Sequence, residues 1–315
     1  MPSESGFTLT VSVVIPSYNE AESLPELFKQ IYRALEPQYE KAFEIWLIDD
    51  GSSDRTAEII PELQKEFPAL KYVQFRRNYG KAAALMEGFR RAEGQFVITM
   101  DADLQDDPAE IPPMIAMLED EADMVSGWKK KRHDPVSKTI PSKLFNGVTR
   151  WTTGIKIHDF NCGLKAYRNE VVKDLNIHGE LHRYIPVLAH FLGYSVQEKV
   201  VQHHPRKYGN TKYGLARFFR GFFDFITVLF LSRYTQRPMH FFGMGGLVLT
   251  GVGIIINLYL AIYWFLGGNL SNRPLLFLGV LLLIVGVQLF SIGLLGEMLA
   301  HSNRNDENPQ IRKQL

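Results

Sequence analysis

Phe96-Val97-Ile98-Thr99-Met100-Asp101-Ala102-Asp103-Leu104-Gln105 is the stretch on which the reading of this chain turns. Its first half is a short apolar run, the pattern of a strand covered on both faces. Its second half delivers two carboxylates and an amide oxygen to the end of that strand. In an open α/β sheet, ligands sit at the carboxyl ends of the strands, so the acids stand where a site is expected. Carboxylates at i and i+2 with a nearby amide are hard oxygen donors, suited to Mg2+ or Mn2+ bridging a diphosphate.

Working outward, strand and helix signals alternate. Strands are predicted over 10–15, 44–48, 72–75, 96–100 and 124–126, with helices over 22–35, 56–67, 81–92 and 110–118 between them. Such alternation predicts an α/β fold with a mostly parallel, Rossmann-like sheet. Other strand ends are polar too. Pro16-Ser17-Tyr18-Asn19-Glu20 offers a strand-stopping proline, a ring to stack on a base and a carboxylate for ribose or base. In Asp49-Asp50-Gly51-Ser52-Ser53-Asp54, Asp50 is the candidate for gripping the nucleotide, and Asp54 reads as a helix cap. Arg76-Arg77-Asn78-Tyr79-Gly80-Lys81 is a basic turn entering a helix, where Lys81 and the helix amino terminus are suited to phosphate oxygens. Asp106, Asp107 and Pro108 read as a solvated acidic turn that starts the next helix.

Composition narrows the classes. The 315 residues carry 35 basic and 34 acidic groups for a net charge of +1, so no global field argues for nucleic acid as a partner. One cysteine, Cys162, excludes an intrachain disulfide and a cysteine metal cluster, and reads as a small half-buried hydrophobe. Two long apolar runs, 239–266 and 274–299, contain no Lys, Arg or Asp and exceed the ~20 residues a bilayer crossing needs. Arg217, Arg220, Arg233 and Arg237 precede the pair, and Arg304, Arg312 and Lys313 follow it. By the positive-inside rule both flanks, and with them the α/β domain and both termini, are expected in the cytoplasm. The expected organisation is an α/β domain over 1–212, interfacial amphipathic helices over 213–236, two transmembrane helices over 237–300 and a tail over 301–315. The phenylalanine- and arginine-rich stretch before the hairpin suits a further buried helix nearly as well.

The ordered set Pro16-Ser17-Tyr18-Asn19-Glu20, Asp49-Asp50-Gly51-Ser52 and Asp101-Ala102-Asp103-Leu104-Gln105 resembles the family 2 glycosyltransferases of GT-A fold. With two C-terminal membrane helices the resemblance narrows to polyprenyl-phosphate glycosyltransferases, such as bactoprenol glucosyltransferases and dolichyl-phosphate mannose synthases. It implies that Asp50 contacts the nucleotide, that Asp103 and Gln105 coordinate the metal, and that Asp101 supports or joins them. It also implies inversion at the anomeric carbon and a nucleotide-sugar donor, with UDP-glucose the first choice and GDP-mannose or a UDP-aminoarabinose derivative behind it. The segment His158-Asp159-Phe160-Asn161-Cys162-Gly163-Leu164-Lys165 resembles the family loop that closes over sugar and acceptor, with Asp159 nearest the transfer. A lipid phosphate is already anionic at neutral pH, so Asp159 is expected to position substrate as readily as to act as a base.

An anionic acceptor at a membrane calls for local cations. Gly127-Trp128-Lys129-Lys130-Lys131-Arg132 and Pro205-Arg206-Lys207-Tyr208 are the two basic loops. Lys129 or Arg132 with Arg206 is the expected clamp on the lipid phosphate, unless the loops serve only to dock on anionic headgroups. His203-His204 reads as structural, because adjacent strand residues face opposite ways. A processive polysaccharide synthase is the nearest rival. Its Gln-X-X-Arg-Trp segment is missing its glutamine, since Gly147 precedes Arg150-Trp151. A non-catalytic scaffold would need none of the acids, and a channel would need more than Asn257 and Gln288 inside its helices. Gly243, Gly245, Gly246, Gly251 and Gly253 suit close helix contact, from which a homo-oligomer is expected.

Overall fold

A computed structural model describes residues 9–130, 157–179, 181–205, 238–270 and 273–303, with positions 147, 150, 154 and 155 between them. The chain divides into two compact units, Met1–Val228 and Leu229–Leu315.

In the first unit, β1 (Leu9–Ser17), α1 (Leu24–Tyr39), β2 (Phe43–Asp49), α2 (Thr56–Glu66), β3 (Leu70–Gln74), α3 (Lys81–Arg91), β4 (Gly94–Thr99), α4 (Ile111–Asp120) and β5 (Met124–Trp128) follow the predicted alternation. Then come β6 (Lys165–Arg168), α5 (Asn169–Asp174), α6 (Ile185–Phe191) and β7 (Val196–Val200). The seven strands are ordered β3-β2-β1-β4-β6-β5-β7. Strands β1 to β4 pair in parallel, and β5 pairs in parallel with β7. Strand β6 runs against both of its neighbours, inserted between β4 and β5.

The alternation of side chains decides the layers. Val11, Val13 and Ile15 of β1 meet Leu24, Leu27, Phe28 and Ile31 of α1 in the main core. Val14 points the other way, onto α3 at Gly88, where an added Cβ would lie inside the Val14 side chain. A glycine there lets helix and sheet approach to backbone distance.

Pro16 does not end β1, which continues to Ser17. Val14 turns its carbonyl to the β4 side, where it accepts from Met100 N at 3.3 Å, and Pro16 faces that same side. The ladder to β4 has ended by Val14, so the missing N–H costs nothing.

The second unit contains α7 (Pro238–Phe265) and α8 (Pro274–Asn303). Within them, Met239–Phe265 and Pro274–Met298 have mean hydropathies of 2.0 and 2.7, long and apolar enough to cross a membrane. Glu297, the one acid of α8, accepts from the backbone N–H of Met239 at 3.2 Å and so serves the unpaired amino terminus of α7. Gly246 lies against Gly286 O and Phe290 N, and Gly253 against Leu283 N, so these two glycines are used in packing α7 on α8. Gly245 and Gly251 have open space around them.

Candidate active site

The carboxyl ends of β1, β2 and β4 gather the acids that the sequence singled out, but each is held differently. Asp49 is fully buried and accepts from Ser52 N at 2.8 Å and Tyr72 Oη at 2.7 Å, so it braces the turn. Asp50 accepts from the N–H groups of Tyr79 at 2.6 Å and Gly80 at 2.9 Å. Its carboxylate thus fixes the basic turn before α3, and burial pushes its pKa up despite those two bonds. Gly51 stands at φ +73°, and a Cβ on it would come within 2.5 Å of the Arg77 backbone, so this tight approach requires glycine. Asp54 accepts from Thr56 N at 3.0 Å and Ala21 N at 3.1 Å, a structural role as expected.

Asp101 sits just past β4 with its side chain one-third exposed. Lys81, the first residue of α3, forms an ion pair with it. Burial opposes the Asp101 charge, but Lys81, with Lys129 and Lys165 farther off, holds the carboxyl down at about 2. Asp103 is 9% exposed, and its Oδ1 accepts from Gln105 N at 3.2 Å. Leu104 between them takes φ 60° with its side chain buried, and this kink turns the loop back on itself. Asp101, Asp103 and Gln105 leave one β-strand end together and offer only oxygen donors, a set that fits a hard divalent cation. Among the described residues, no group of three or more His, Cys, Asp or Glu forms a metal cluster.

Lys129 is not placed as a clamp for lipid phosphate. Its ammonium lies 2.7 Å from Asp106 Oδ1, with 12% of its side chain exposed and none of the aspartate's. Burial works against the lysine charge, but Asp106 and its neighbours outweigh it and raise the pKa above the usual lysine range. The solvated turn expected at Asp106 is thus a buried ion pair, because β5 ends directly beside the acidic loop. Asp107 does cap the turn, accepting from Ala109 N at 2.9 Å. Beyond β7, His204 N donates to Gln105 O at 2.9 Å and His204 Nε2 lies 3.2 Å from Asp107 Oδ2. The histidine pair therefore staples the same loop from its other side. Arg132 and Arg206, like the 213–236 stretch, lie outside the described residues.

Asp159 is 1% exposed, and its Oδ1 accepts from Asn161 N at 3.2 Å. Glu198 of β7 holds this segment, accepting from His158 N at 2.8 Å and Asp159 N at 3.0 Å. The Trp128 ring stacks on His158 at 4.1 Å. Asp159 is thus an enclosed carboxylate that holds the backbone of its own loop.

The cleft itself is lined by Pro16, Lys81, Asp101, Gly163, Lys165 and His182, among others. Glu20 is not in it and faces a separate depression beside Asn19 and Asp54. Tyr18 is 44% exposed. Lys165 and His182 were not expected as site residues. A lysine between Leu164 and Ala166 is the one local signal, whereas nothing adjacent in sequence marks His182.

Residues 12–175 match the family model for "Glycosyl transferase family 2". The chain belongs to glycosyl transferase family 2. Over 309 residues this family 2 transferase is 40% identical to the dodecaprenyl-phosphate galacturonate synthase of Rhizobium johnstonii, covering 96% of this chain and 91% of that protein. It is 36% identical to the undecaprenyl-phosphate 4-deoxy-4-formamido-L-arabinose transferase of Pseudomonas aeruginosa (strain LESB58), over 92% and 84% of the two chains. A mannosyltransferase of Pyrobaculum calidifontis, solved with GDP-mannose and Mn2+, superposes with a TM-score of 0.51 at 17% identity, covering 95% of this chain and 81% of that one. At that identity the likeness is one of fold. The mostly parallel sheet of the family 2 transferase is thus the GT-A fold, followed by two apolar helices.

Proposed function

We propose that this family 2 glycosyltransferase transfers a sugar from a nucleotide sugar to a polyprenyl phosphate at the cytoplasmic face of the membrane. The observation that carries the reading is the 40% identity to a dodecaprenyl-phosphate galacturonate synthase across nearly the whole of both chains, hairpin included. A second relative, named for its undecaprenyl-phosphate acceptor, supports the same class. Neither relative is named for glucose, so the UDP-glucose preference gives way to a uronic donor, UDP-galacturonate, with a formamido-arabinose donor second.

In this reading a phosphate oxygen of the lipid attacks the anomeric carbon as the bond to the nucleoside diphosphate breaks, with inversion. The lipid phosphate arrives as an anion, so no base is required and positioning supplies much of the rate. Asp103 and Gln105 would hold a Mg2+ or Mn2+, with Asp101 alongside, and such a cation would supply charge neutralisation for a departing diphosphate. Lys81 and the amino terminus of α3 take phosphate oxygens, Pro16 and Tyr18 border the nucleotide, and Asp50 keeps the 76–80 turn in place. Asp159 keeps the 158–163 loop in position. Arg132 and Arg206 remain the proposed cations for the lipid phosphate.

The test is incubation of purified protein with undecaprenyl phosphate, Mg2+ or Mn2+ and labelled UDP-galacturonate, UDP-glucose or GDP-mannose, following label into an organic phase. Label from the uronate is expected. Asp103→Asn should reduce it by about 100-fold or more, the loss of roughly 3 kcal/mol of charge stabilisation. Polymer formation without lipid-linked label would favour a processive synthase, and no transfer from any donor would favour a scaffold.

A further inference from the structure

Lys165 is 3% exposed, yet among the described residues no carboxylate lies within 4.0 Å of its ammonium. Its hydrogen-bond acceptor is a backbone carbonyl, that of Cys162. An ammonium carries three donors and is costly to bury unless an anion answers it. Lys81, Asp159 and Asp101 act on its charge, and two of these are committed elsewhere: Asp101 to Lys81, and Asp159 Oδ1 to Asn161 N.

Position makes this buried ammonium informative. Lys165 opens β6, where it registers with Thr99 of β4 and with Ser126 of β5. It therefore lies in the middle of the sheet, at the same edge as the Asp101–Gln105 loop. Its side chain lines the cleft together with Lys81, Asp101 and His182. His182 Nδ1 is buried without a hydrogen-bond partner on the same wall. The neighbouring Tyr167 hydroxyl, two residues along the same face, lies 3.4 Å from Thr99 Oγ1. Cation, imidazole and hydroxyls thus line a pocket whose one carboxylate is already paired.

We propose that Lys165, with His182 beside it in the pocket wall, is an anion subsite for the donor, taking either the carboxylate of a uronic sugar or a phosphate of the nucleotide. The inference rests on the nucleotide-sugar reading above and adds which residues answer the donor's negative charge. Lys81, one-third exposed and paired with Asp101, is the more open of the two lysines, so the deeper Lys165 is left for the group that reaches farthest in. In a uronic donor that group is the sugar carboxylate. Charge-assisted hydrogen bonds in a partly dry pocket are among the stronger polar contacts.

Binding of UDP, UDP-glucose and UDP-galacturonate to the detergent-solubilised full chain, with Mn2+ present, separates the sources. Lys165→Met should weaken UDP-galacturonate by about tenfold or more while UDP and UDP-glucose hold, the signature of a carboxylate contact. An equal loss for all three assigns Lys165 to phosphate. Lys165→Arg, which keeps the cation, should retain most of the affinity. Thermal melts accompany each variant, and Lys165→Met is expected to fold, since it removes a buried charge without an ionic partner. Unchanged affinities for all three in a folded Lys165→Met would overturn the inference while leaving the donor reading intact. Failure of the unaltered protein to bind any of the three would overturn both.

Discussion

Gly163 lies against the Asp101 carboxylate without contributing a functional group. A Cβ built on it would meet Asp101 Oδ2 at 2.6 Å, so any side chain there must push the carboxylate off its place. Because the obstructing atom is the end of a side chain, the fold can accommodate the change and the site cannot. Gly163→Ala should lower transfer by ~10- to 100-fold through misplacement alone, with little change in melting temperature. A fall in melting temperature that matches the loss of activity would count against this account. His182 gives a second residue-scale test. Burial, and then the positive charge of Lys81, depress its pKa to about 3 from an ordinary 6.5. Between those values the unfolded chain binds a proton that the folded one refuses, so stability is full above about pH 6.5 and falls as pH drops toward 3. His182→Gln should flatten that part of the stability profile, as read by denaturant melts at several pH values.

At the scale of elements, the acidic loop after β4 is held by neighbours distant in sequence. Lys129 at the end of β5 answers Asp106, and the segment beyond β7 answers Gln105 and Asp107. Lys129→Met alone strands a fully buried carboxylate and should cost about 3 kcal/mol or more in denaturant unfolding. Adding Asp106→Asn should recover most of that loss, because both charges then leave together while an acceptor for the loop remains. If Lys129 instead served the lipid phosphate, the single variant would raise the KM for polyprenyl phosphate and leave stability alone.

For the whole molecule, the question is what surrounds the hairpin. Leu258, Phe265, Phe277 and Met298 are more than half exposed along helices whose mean hydropathies are 2.0 and 2.7. A 28-residue helix is about 40 Å long, beyond the ~30 Å of a hydrocarbon core. The protein is therefore expected in the membrane fraction, retained through high salt and alkaline carbonate and released by detergent. Release by salt alone would mean that surface charge, not the hairpin, holds it there.

Periodicity and strand-end polarity by themselves determined the mostly parallel α/β order, the strand-end acids and the two apolar spans, because each is a local pattern that a few consecutive residues carry. Asp54 as a helix cap was legible for the same reason, its partner Thr56 lying two residues on, whereas its bond from Ala21 N, 33 positions away, was not. The rest depended on residues brought together from afar. β6 hid because its four residues, Lys165–Arg168, begin and end with charge although three of the four are buried. Only its insertion between β4 and β5 put Lys165 beside Asp101 and set Lys129 against Asp106. Asp50 was legible as a strand-end acid, but not that both its oxygens grip the turn before α3. Charge and hydrogen-bond capacity are written in the sequence. Which of them are already spent is decided by contacts across 20 to 100 positions, and only the tertiary structure makes those.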